Sequence, residues 1–219
     1  MSSERTKLTG MVLLAASVGE YDKRLVILTK ERGRISAFAR GARRPNSSLI
    51  AAANPFCFGE FECYEGRDSY SVVKVNVQQY FRELTTSPEL SGYGFYFLEI
   101  ANYYTRENVD ETQMLKLLYQ SLRALLSDKI ENALVRRIYE MKAMVINGEY
   151  PVISAGEGYD DSTVYALDYI RCSSVEKLYT FRVTPKVLGE MGEILDGFMG
   201  RYIDRTFHSL EILRMMEES

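Results

Sequence analysis

The sequence has few of the residues on which most enzyme and metal sites depend. It contains one histidine, three cysteines and no tryptophan in 219 residues. The lone histidine, His208, has no second histidine and no nucleophile motif to pair with, so a catalytic relay cannot be assembled around it. The glycines between 189 and 200 lie within a helical pattern, which does not fit a phosphate loop or a dinucleotide fingerprint. We therefore predict no catalytic residue and a protein that is not an enzyme.

The cysteines argue against both a disulfide framework and a metal centre. Their number is odd and no two of them are close together. Cys57 and Cys63 are too far apart for the usual zinc-binding pair, which has about two to four residues between its cysteines. Cys172 is isolated. We predict no bound metal and no cofactor.

Long apolar runs are also missing. No run approaches the roughly 20 residues that a membrane-spanning helix needs. The first ten residues, MSSERTKLTG, lack the apolar core of a secretion signal. Since the chain has 46% hydrophobic and 26% charged residues, its composition is that of an ordinary globular protein. We expect a cytoplasmic protein without a membrane partner or a small-molecule substrate.

Charge is plentiful and unevenly distributed. The formal net charge is −3, which by itself argues against a nucleic-acid binder. Residues 1–80, however, hold 12 Lys and Arg against 8 Asp and Glu, a net charge of +4. The remainder holds 15 against 22, a net charge of −7. A basic part joined to an acidic part predicts two modules with different partners.

The basic character is concentrated between residues 23 and 44, where eight bases face a single acid, Glu31. Two apolar runs, 25–28 and 35–39, flank a charged turn at Gly33, which is typical of a β-hairpin. Arginine binds phosphates bidentately and stacks on bases. The alternative is a solvated hairpin whose charges protect a sheet edge from aggregation. The residues predicted to bind single-stranded DNA or RNA are Lys23, Arg24, Lys30, Arg32, Arg34, Phe38, Arg40, Arg43 and Arg44.

Residues 7–80 show the pattern of a small β-barrel. Apolar and polar residues alternate in the later strands, and the alternation assigns Val73, Val75 and Val77 to one face. Five short strands in about 70 residues fit an OB-fold barrel. The predicted strands cover 7–18, 25–28, 35–39, 58–64 and 70–77.

After Phe81 the apolar period changes from two to 3.6, which predicts helices. Ser87 followed by Pro88 marks a helix start, and Asp110 with Gln113 resembles a capping box. An apolar stripe formed by Met114, Leu117, Leu118, Leu122 and Leu125 follows. A third helix should cover about 131–146, a short one 162–171, and a final helical stretch 184–216.

The predicted fold class is therefore α+β, with strands first and helices after. An OB-fold DNA-binding domain should span 1–80 and an all-helical domain 81–219. The final stretch contains Gly189, Gly192, Gly197 and Gly200, and the sequence leaves open whether they mark a break or a close helix contact.

A second cluster of bases lies in the helical part. Arg136 and Arg137 occur in NALVRRIYEMKAM, with Arg123 and Lys142 within reach of neighbouring turns. Bases around an apolar groove could capture an acidic, hydrophobic peptide tail. The competing interpretation is that these amphipathic helices bury their apolar faces in a bundle core. The predicted peptide-tail residues are Arg123, Arg136, Arg137 and Lys142.

Taken in order, several segments resemble the RecO family of bacterial recombination mediators over essentially the whole chain. The most specific is GMVLLAASVGEYDKRLVILTKERGRISAFARGARRPNS, followed by NPFCFGEFECYEGRD and YFLEIANYY. VRRIYEMKAMVINGEYP and RTFHSLEIL extend the match toward the C-terminus.

This resemblance implies an OB-fold followed by a helical domain that binds single- and double-stranded DNA. It also implies strand annealing and action with RecR in the RecF pathway of recombinational repair. Family members help recombinase load onto DNA coated by single-strand DNA-binding protein, and in some the acidic tail of that protein docks on the helical domain. Many carry a four-cysteine zinc site after a GYxP motif. Because Cys172 is the one cysteine after Pro151, we predict that the zinc-binding element is lost here.

The sequence thus predicts a non-enzymatic DNA-repair mediator. Two alternatives remain open from the sequence: an adaptor whose barrel contacts a protein partner, and an OB-fold protein that binds RNA.

Overall fold

The computed structural model of the protein describes residues 5–153 and 158–217. Five strands come first, namely β1 (Arg5–Val18), β2 (Asp22–Thr29), β3 (Gly33–Ala39), β4 (Phe58–Glu65) and β5 (Tyr70–Gln79). Six α-helices follow, namely α1 (Pro88–Tyr104), α2 (Thr112–Leu125), α3 (Asn132–Ile146), α4 (Asp161–Cys172), α5 (Pro185–Tyr202) and α6 (His208–Glu217). In the described part of the chain, no helix is both long and apolar enough to span a membrane.

The strands close into a barrel in the order β1-β2-β3-β5-β4, with β4 pairing back onto β1. Closure between β3 and β5 is parallel and short, with Ala37 opposite Tyr70 and Phe38 opposite Ser71. The inward faces bury a continuous apolar core that includes Val12, Ile27 and Phe61. Five strands in this closed order form the OB-type barrel that the sequence predicts, so the predicted fold class is confirmed.

The predicted single face for the valines of β5 is wrong at one position. Val75 and Val77 pack against the barrel core, but Val73 is exposed. The register explains the difference, since Glu62 pairs with Lys74 while Cys63 pairs with Val72. Val73 is the extra residue of a β-bulge, and one inserted residue reverses the alternation of side chains.

Two of the three cysteines belong to the barrel core. Cys57 immediately precedes β4 and Cys63 lies within it, and both are buried. Burial raises the pKa of each thiol to about 12. Cys172 is exposed at the end of α4. Among the described residues, no group of three histidine, cysteine or acidic side chains is placed to hold a metal ion.

The helix signals are largely confirmed. The hydroxyl of Ser87 accepts a hydrogen bond from the Leu90 amide at 3.2 Å, as expected of a capping residue. The predicted capping box is wrong in detail, because Asp110 accepts from the Thr112 amide at 3.0 Å. Since α2 begins at Thr112, the residue before the helix is Glu111. The stripe of α2 is buried as predicted.

The four glycines near the C-terminus do not break the helix, because α5 continues through all of them to Tyr202. The helical pattern breaks between Tyr202 and His208, beyond the last glycine. Gly192 makes a close contact, since an added Cβ would lie 2.9 Å from a guanidinium nitrogen of Arg137. At Gly189 and Gly200 the same atom would meet open space.

The chain separates into two compact units. The first comprises the chain up to Arg82 together with Ala101–Leu115, and the second comprises Glu83–Ile100 with the chain from Lys116 onward. The end of α1, the following loop and the first turn of α2 thus cluster with the barrel. The division at residue 80 between an OB-fold domain and a helical domain stays a prediction.

Candidate nucleic-acid interface

The hairpin of β2 and β3 divides the predicted DNA-binding residues into two groups. Lys23 pairs with Ala39 at the open end of the hairpin, and Thr29 pairs with Gly33 at its tip. At about 3.3 Å per residue, Lys23 and Lys30 lie about 23 Å apart along the strand. The open end carries Lys23, Arg24, Arg40, Arg43 and Arg44, whereas the tip carries Lys30, Arg32 and Arg34. The bases of the predicted hairpin therefore lie in two groups, at its opposite ends.

At the open end, four guanidinium groups are exposed. Arg40, Arg43 and Arg44 lie in the segment that leaves β3, which we call the arginine arm (residues 40–44). Arg24 lies on the neighbouring strand, where its Nε donates to Ser36 Oγ at 3.1 Å. Arg40 makes no side-chain hydrogen bond or ion pair with the described part of the chain. These side chains can reach phosphate without first breaking an ion pair.

Lys23 belongs to the same end but has a structural role there. Its Nζ donates to the Ala53 carbonyl at 2.9 Å and to Asn54 Oδ1 at 2.7 Å. Partial burial, and then the nearby charge of Arg43, lower the pKa of Lys23. The amine therefore ties the strand to the later part of the connection between β3 and β4.

At the tip, two of the three bases bind other parts of the same unit. Nη1 of Arg34 donates to the backbone carbonyl of Asn102 at 3.0 Å and to its Oδ1 at 2.8 Å. Arg32 lies 3.6 Å from the Glu65 carboxylate. Lys30 is exposed and makes no side-chain contact of this kind with the described residues. The tip thus offers fewer accessible cations than the sequence suggests.

Backbone contacts reinforce this arrangement at the tip. The Arg34 amide donates to the Arg106 carbonyl, and the Asn108 amide donates to the Arg32 carbonyl, both at 2.9 Å. Gly33 adopts φ 64°, and an added Cβ would lie 2.3 Å from the Arg106 carbonyl oxygen. Only glycine tolerates this combination of positive φ and close backbone approach. The tip is therefore a docking point for the segment after α1.

Two aromatic side chains lie at the open end, Phe38 and Tyr21, and the sequence singled out only Phe38. Phe38 lies opposite Arg24 and is half-buried. Tyr21, in the turn before β2, is 40% exposed. The guanidinium carbon of Arg44 lies over its ring, 5.2 Å from the ring centroid. The signal for Tyr21 was its place in the turn that faces the arm, which strand alternation does not reveal.

Elsewhere on the barrel, bases and acids alternate. Lys7 Nζ lies 3.0 Å from Glu60 Oε1 across β1 and β4, and Glu62 lies opposite Lys74 across β4 and β5. Such pairs leave little net charge for a polyanion to recognise. The excess positive charge is therefore localised at the open end of the hairpin.

The second unit holds the residues predicted to capture a peptide tail, and most of them serve its core. Arg136 and Arg137 bind Glu140 at 2.8 and 2.9 Å. Lys142 Nζ donates to three backbone carbonyls at the end of α4 and just beyond it. Arg123 is exposed on α2. The structure does not bring these four bases to one accessible surface.

His208 opens α6, and its side chain is exposed. Its Nδ1 lies 3.5 Å from the Glu211 carboxylate. An exposed imidazole in the first turn of a helix fits the expectation that His208 has no catalytic partner.

The barrel and its exposed arginines define the class as an OB-fold protein with a basic surface, extended by helices. Matches to known proteins agree with this class. Residues 1–81 match the family model described as Recombination protein O N terminal. Residues 86–157 and 154–211 match the model described as Recombination protein O C terminal.

Relatives named DNA repair protein RecO match over nearly the whole chain. The protein of Acetivibrio thermocellus is 26% identical, over 96% of this chain and 97% of its own length. That of Alkaliphilus metalliredigens is 27% identical, over 95% and 98%. That of Desulforudis audaxviator is 32% identical, over 94% and 95%. The chain therefore belongs to the RecO family of DNA repair proteins.

Proposed function

We propose that the protein is a non-enzymatic DNA-binding repair mediator, and that the open end of its hairpin contacts the phosphate backbone. The observation that carries this proposal is the cluster of Arg24, Arg40, Arg43 and Arg44, which are all exposed at one end of an OB barrel. Guanidinium groups bind phosphates bidentately. Binding of this kind is largely independent of sequence and weakens as salt increases.

The expected activity follows from the same electrostatics. Two complementary strands repel each other through their phosphates, and a surface that screens this repulsion lets them pair. No covalent bond changes in such a reaction. Together with family membership, this supports annealing of complementary strands and, with RecR, the loading of recombinase onto DNA coated by single-strand DNA-binding protein in the RecF pathway.

Docking of the acidic tail of that protein on the helical unit is part of the same proposal. Arg136, Arg137 and Lys142 already bind internal partners. Arg123 is therefore the predicted tail-binding residue whose charge is available at the surface. An Arg123→Ala variant should bind an acidic tail peptide more weakly, measured by fluorescence anisotropy. Unchanged affinity would remove Arg123 from the proposal.

The central test replaces Arg40, Arg43 and Arg44 together with alanine. Each phosphate contact contributes about 0.7 to the salt slope on single strands, so three lost contacts should reduce the slope by about 2. Anisotropy titrations of a labelled oligonucleotide at several salt concentrations give both the affinity and the slope. Annealing of complementary strands, naked or coated, should slow in parallel.

A matched control removes three bases from the rest of the barrel surface, through Lys7→Ala, Arg67→Ala and Lys74→Ala. Its change in net charge is the same, so long-range attraction falls equally in both variants. If the control loses as much affinity and slope as the arm variant, binding is not localised at the open end. Unchanged binding by the arm variant at low and moderate salt would contradict the proposal itself. Competition between matched RNA and DNA oligomers separates it from an RNA-binding role.

A further inference from the structure

The arginine arm does not leave the barrel freely, because Tyr21, in the turn before β2, and Asp22, the first residue of β2, hold it at three points. The Gly41 amide donates to Asp22 Oδ1 at 2.7 Å. The Arg43 amide donates to the Tyr21 carbonyl at 2.9 Å. The Arg44 guanidinium rests on the Tyr21 ring. Two consecutive residues, Tyr21 and Asp22, thus fix the backbone and one side chain of the arm.

Asp22 is an unexpected neighbour for a surface that binds polyanions. Its negative charge, by itself, weakens the attraction of the open end for DNA. The same carboxylate, however, satisfies the amide of Gly41, which adopts φ 64° where the chain turns away from β3. The two effects of Asp22 on DNA affinity have opposite signs, so a suitable pair of substitutions can separate them.

Tyr21 restrains the arginine arm independently of Asp22. A stack between a guanidinium and an aromatic ring restricts the long arginine side chain while leaving its N–H edges directed outward. The Nη1 of Arg43 also donates to the Gly19 carbonyl at 3.3 Å in the same turn. Ordering the arm before DNA arrives reduces the entropy lost on binding.

We propose that Tyr21 and Asp22 are positioning residues of the DNA site, which hold the arginine arm in its binding conformation without contacting phosphate. This inference rests on the proposed function, because it assigns a role within the same site. It also explains why an acid and a tyrosine lie beside the exposed arginines at the open end of the hairpin.

The decisive comparison is Asp22→Asn against Asp22→Ala. Both remove the same negative charge, but the asparagine carbonyl can still accept the Gly41 amide. Asp22→Asn should bind single-stranded DNA at least as tightly as the unmodified protein. Asp22→Ala should bind about threefold to tenfold more weakly than Asp22→Asn, the worth of one net hydrogen bond. If Asp22 acted only through its charge, both variants would gain affinity equally, and the inference would fail.

Tyr21→Leu tests the second hold without touching Asp22. Its affinity should fall by a few fold while the salt slope stays unchanged, because Arg44 keeps its charge and still reaches phosphate. Tyr21→Phe keeps the ring and should bind normally. A reduced slope for Tyr21→Leu would show that phosphate contacts were lost, which would overturn the positioning role.

Thermal unfolding of each variant shows whether it still folds. If Asp22→Ala fails to fold, the Tyr21 pair decides the inference alone. The arm variant with alanine at 40, 43 and 44 is measured in the same assay. If that variant binds normally, the proposed function fails at this site. If it binds weakly while Asp22→Ala matches Asp22→Asn and Tyr21→Leu matches Tyr21→Phe, only the positioning role is wrong.

Discussion

The two compact units each contain a pair of adjacent arginines, and the two pairs differ in their exposure to solvent. Arg43 and Arg44 of the first unit are exposed on the arm. Arg136 and Arg137 of the second unit have side chains that are only 5% and 13% exposed. Both pairs contain the same chemical groups. The difference lies in whether a carboxylate pairs with the guanidinium groups, because Asp22 beside the arm accepts from the Gly41 amide instead.

The buried pair has its partners built into the helices. Glu140 follows Arg136 by four residues and Arg137 by three, so one turn of α3 brings all three together. Asp196 of α5 then binds Arg137 through both carboxylate oxygens, at 2.8 and 3.0 Å. Burial opposes the charge on Arg137, yet Glu140 and Asp196 raise its pKa above the ordinary value. Arginines with acids one turn away serve the core, whereas arginines in a turn without such acids remain available to a ligand.

The largest expected effect comes from removing the acid that neutralises the buried pair. Glu140 is fully buried and also accepts a hydrogen bond from the Tyr96 hydroxyl at 2.7 Å. Glu140→Ala would leave Arg136 and Arg137 without their shared carboxylate, so we expect a loss of about 3 to 5 kcal/mol in the free energy of unfolding. Chemical denaturation measures it. Glu193→Ala, at an exposed position of α5, serves as the control and should change stability by less than about 0.5 kcal/mol.

If Glu140→Ala unfolded at the same denaturant concentration as Glu193→Ala, the contrast between structural and ligand-binding arginines would be broken. Arg40→Ala extends the comparison to the arm, where loss of an exposed guanidinium should leave stability unchanged within about 0.5 kcal/mol.

A smaller effect on the free energy of unfolding is expected at Gly192, where α5 lies close to the Arg137 guanidinium. Alanine is favoured over glycine in a helix by about 1 kcal/mol, so Gly189→Ala, which meets open space, should stabilise the protein. Gly192→Ala gains the same propensity but crowds the Arg137 guanidinium. We expect it to be about 1 to 3 kcal/mol less stable than Gly189→Ala, the usual cost of overpacking. Equal melting temperatures for the two variants would mean that the guanidinium moves aside without cost.

The smallest expected effect is the pH dependence that Asp196 gives to the free energy of unfolding. Although burial opposes its charge, the arginines around it lower the pKa of this carboxyl below the ordinary value. A carboxyl whose pKa is lowered by folding stabilises the protein at pH values above its unfolded-state pKa of about 3.9. This contribution is lost as the pH falls through the lowered pKa. Because the side chain is 38% exposed, we expect no more than about 1 kcal/mol.

The free energies of unfolding of Asp196→Asn and of the unmodified protein should therefore differ at pH 7, and the difference should shrink as the pH falls below about 3.9. A difference that persists at low pH would assign the effect to packing instead of charge.

The barrel could be predicted from the sequence because its strands are either apolar runs or alternating segments, and turn residues separate them. The bulge at Val73 could not, since an inserted residue is defined by the register of the neighbouring strand. The division of the basic segment was equally hidden. Arg34 is tied to Asn102, which lies 68 residues further along the chain, and no local pattern reports such a contact.

The helical arginines differ in this respect, because the signal for their role was present. Glu140 stands one turn after Arg136 and Arg137, and the apolar residues around them indicated a core position. The pairing of these arginines with Asp196 of α5 could be identified only from the tertiary structure. Short-range ion pairs can therefore be anticipated from helical spacing, and long-range ones cannot.

The distribution of the cysteines has a practical consequence for experiments on this protein. Maleimide dyes react with thiolates, and the thiols of Cys57 and Cys63 are buried with pKa values raised to about 12. Cys172 is exposed at the end of α4. The native chain should therefore accept a single fluorophore at Cys172, on the helical unit and outside the arginine arm, so that DNA binding can be followed without engineering a labelling site.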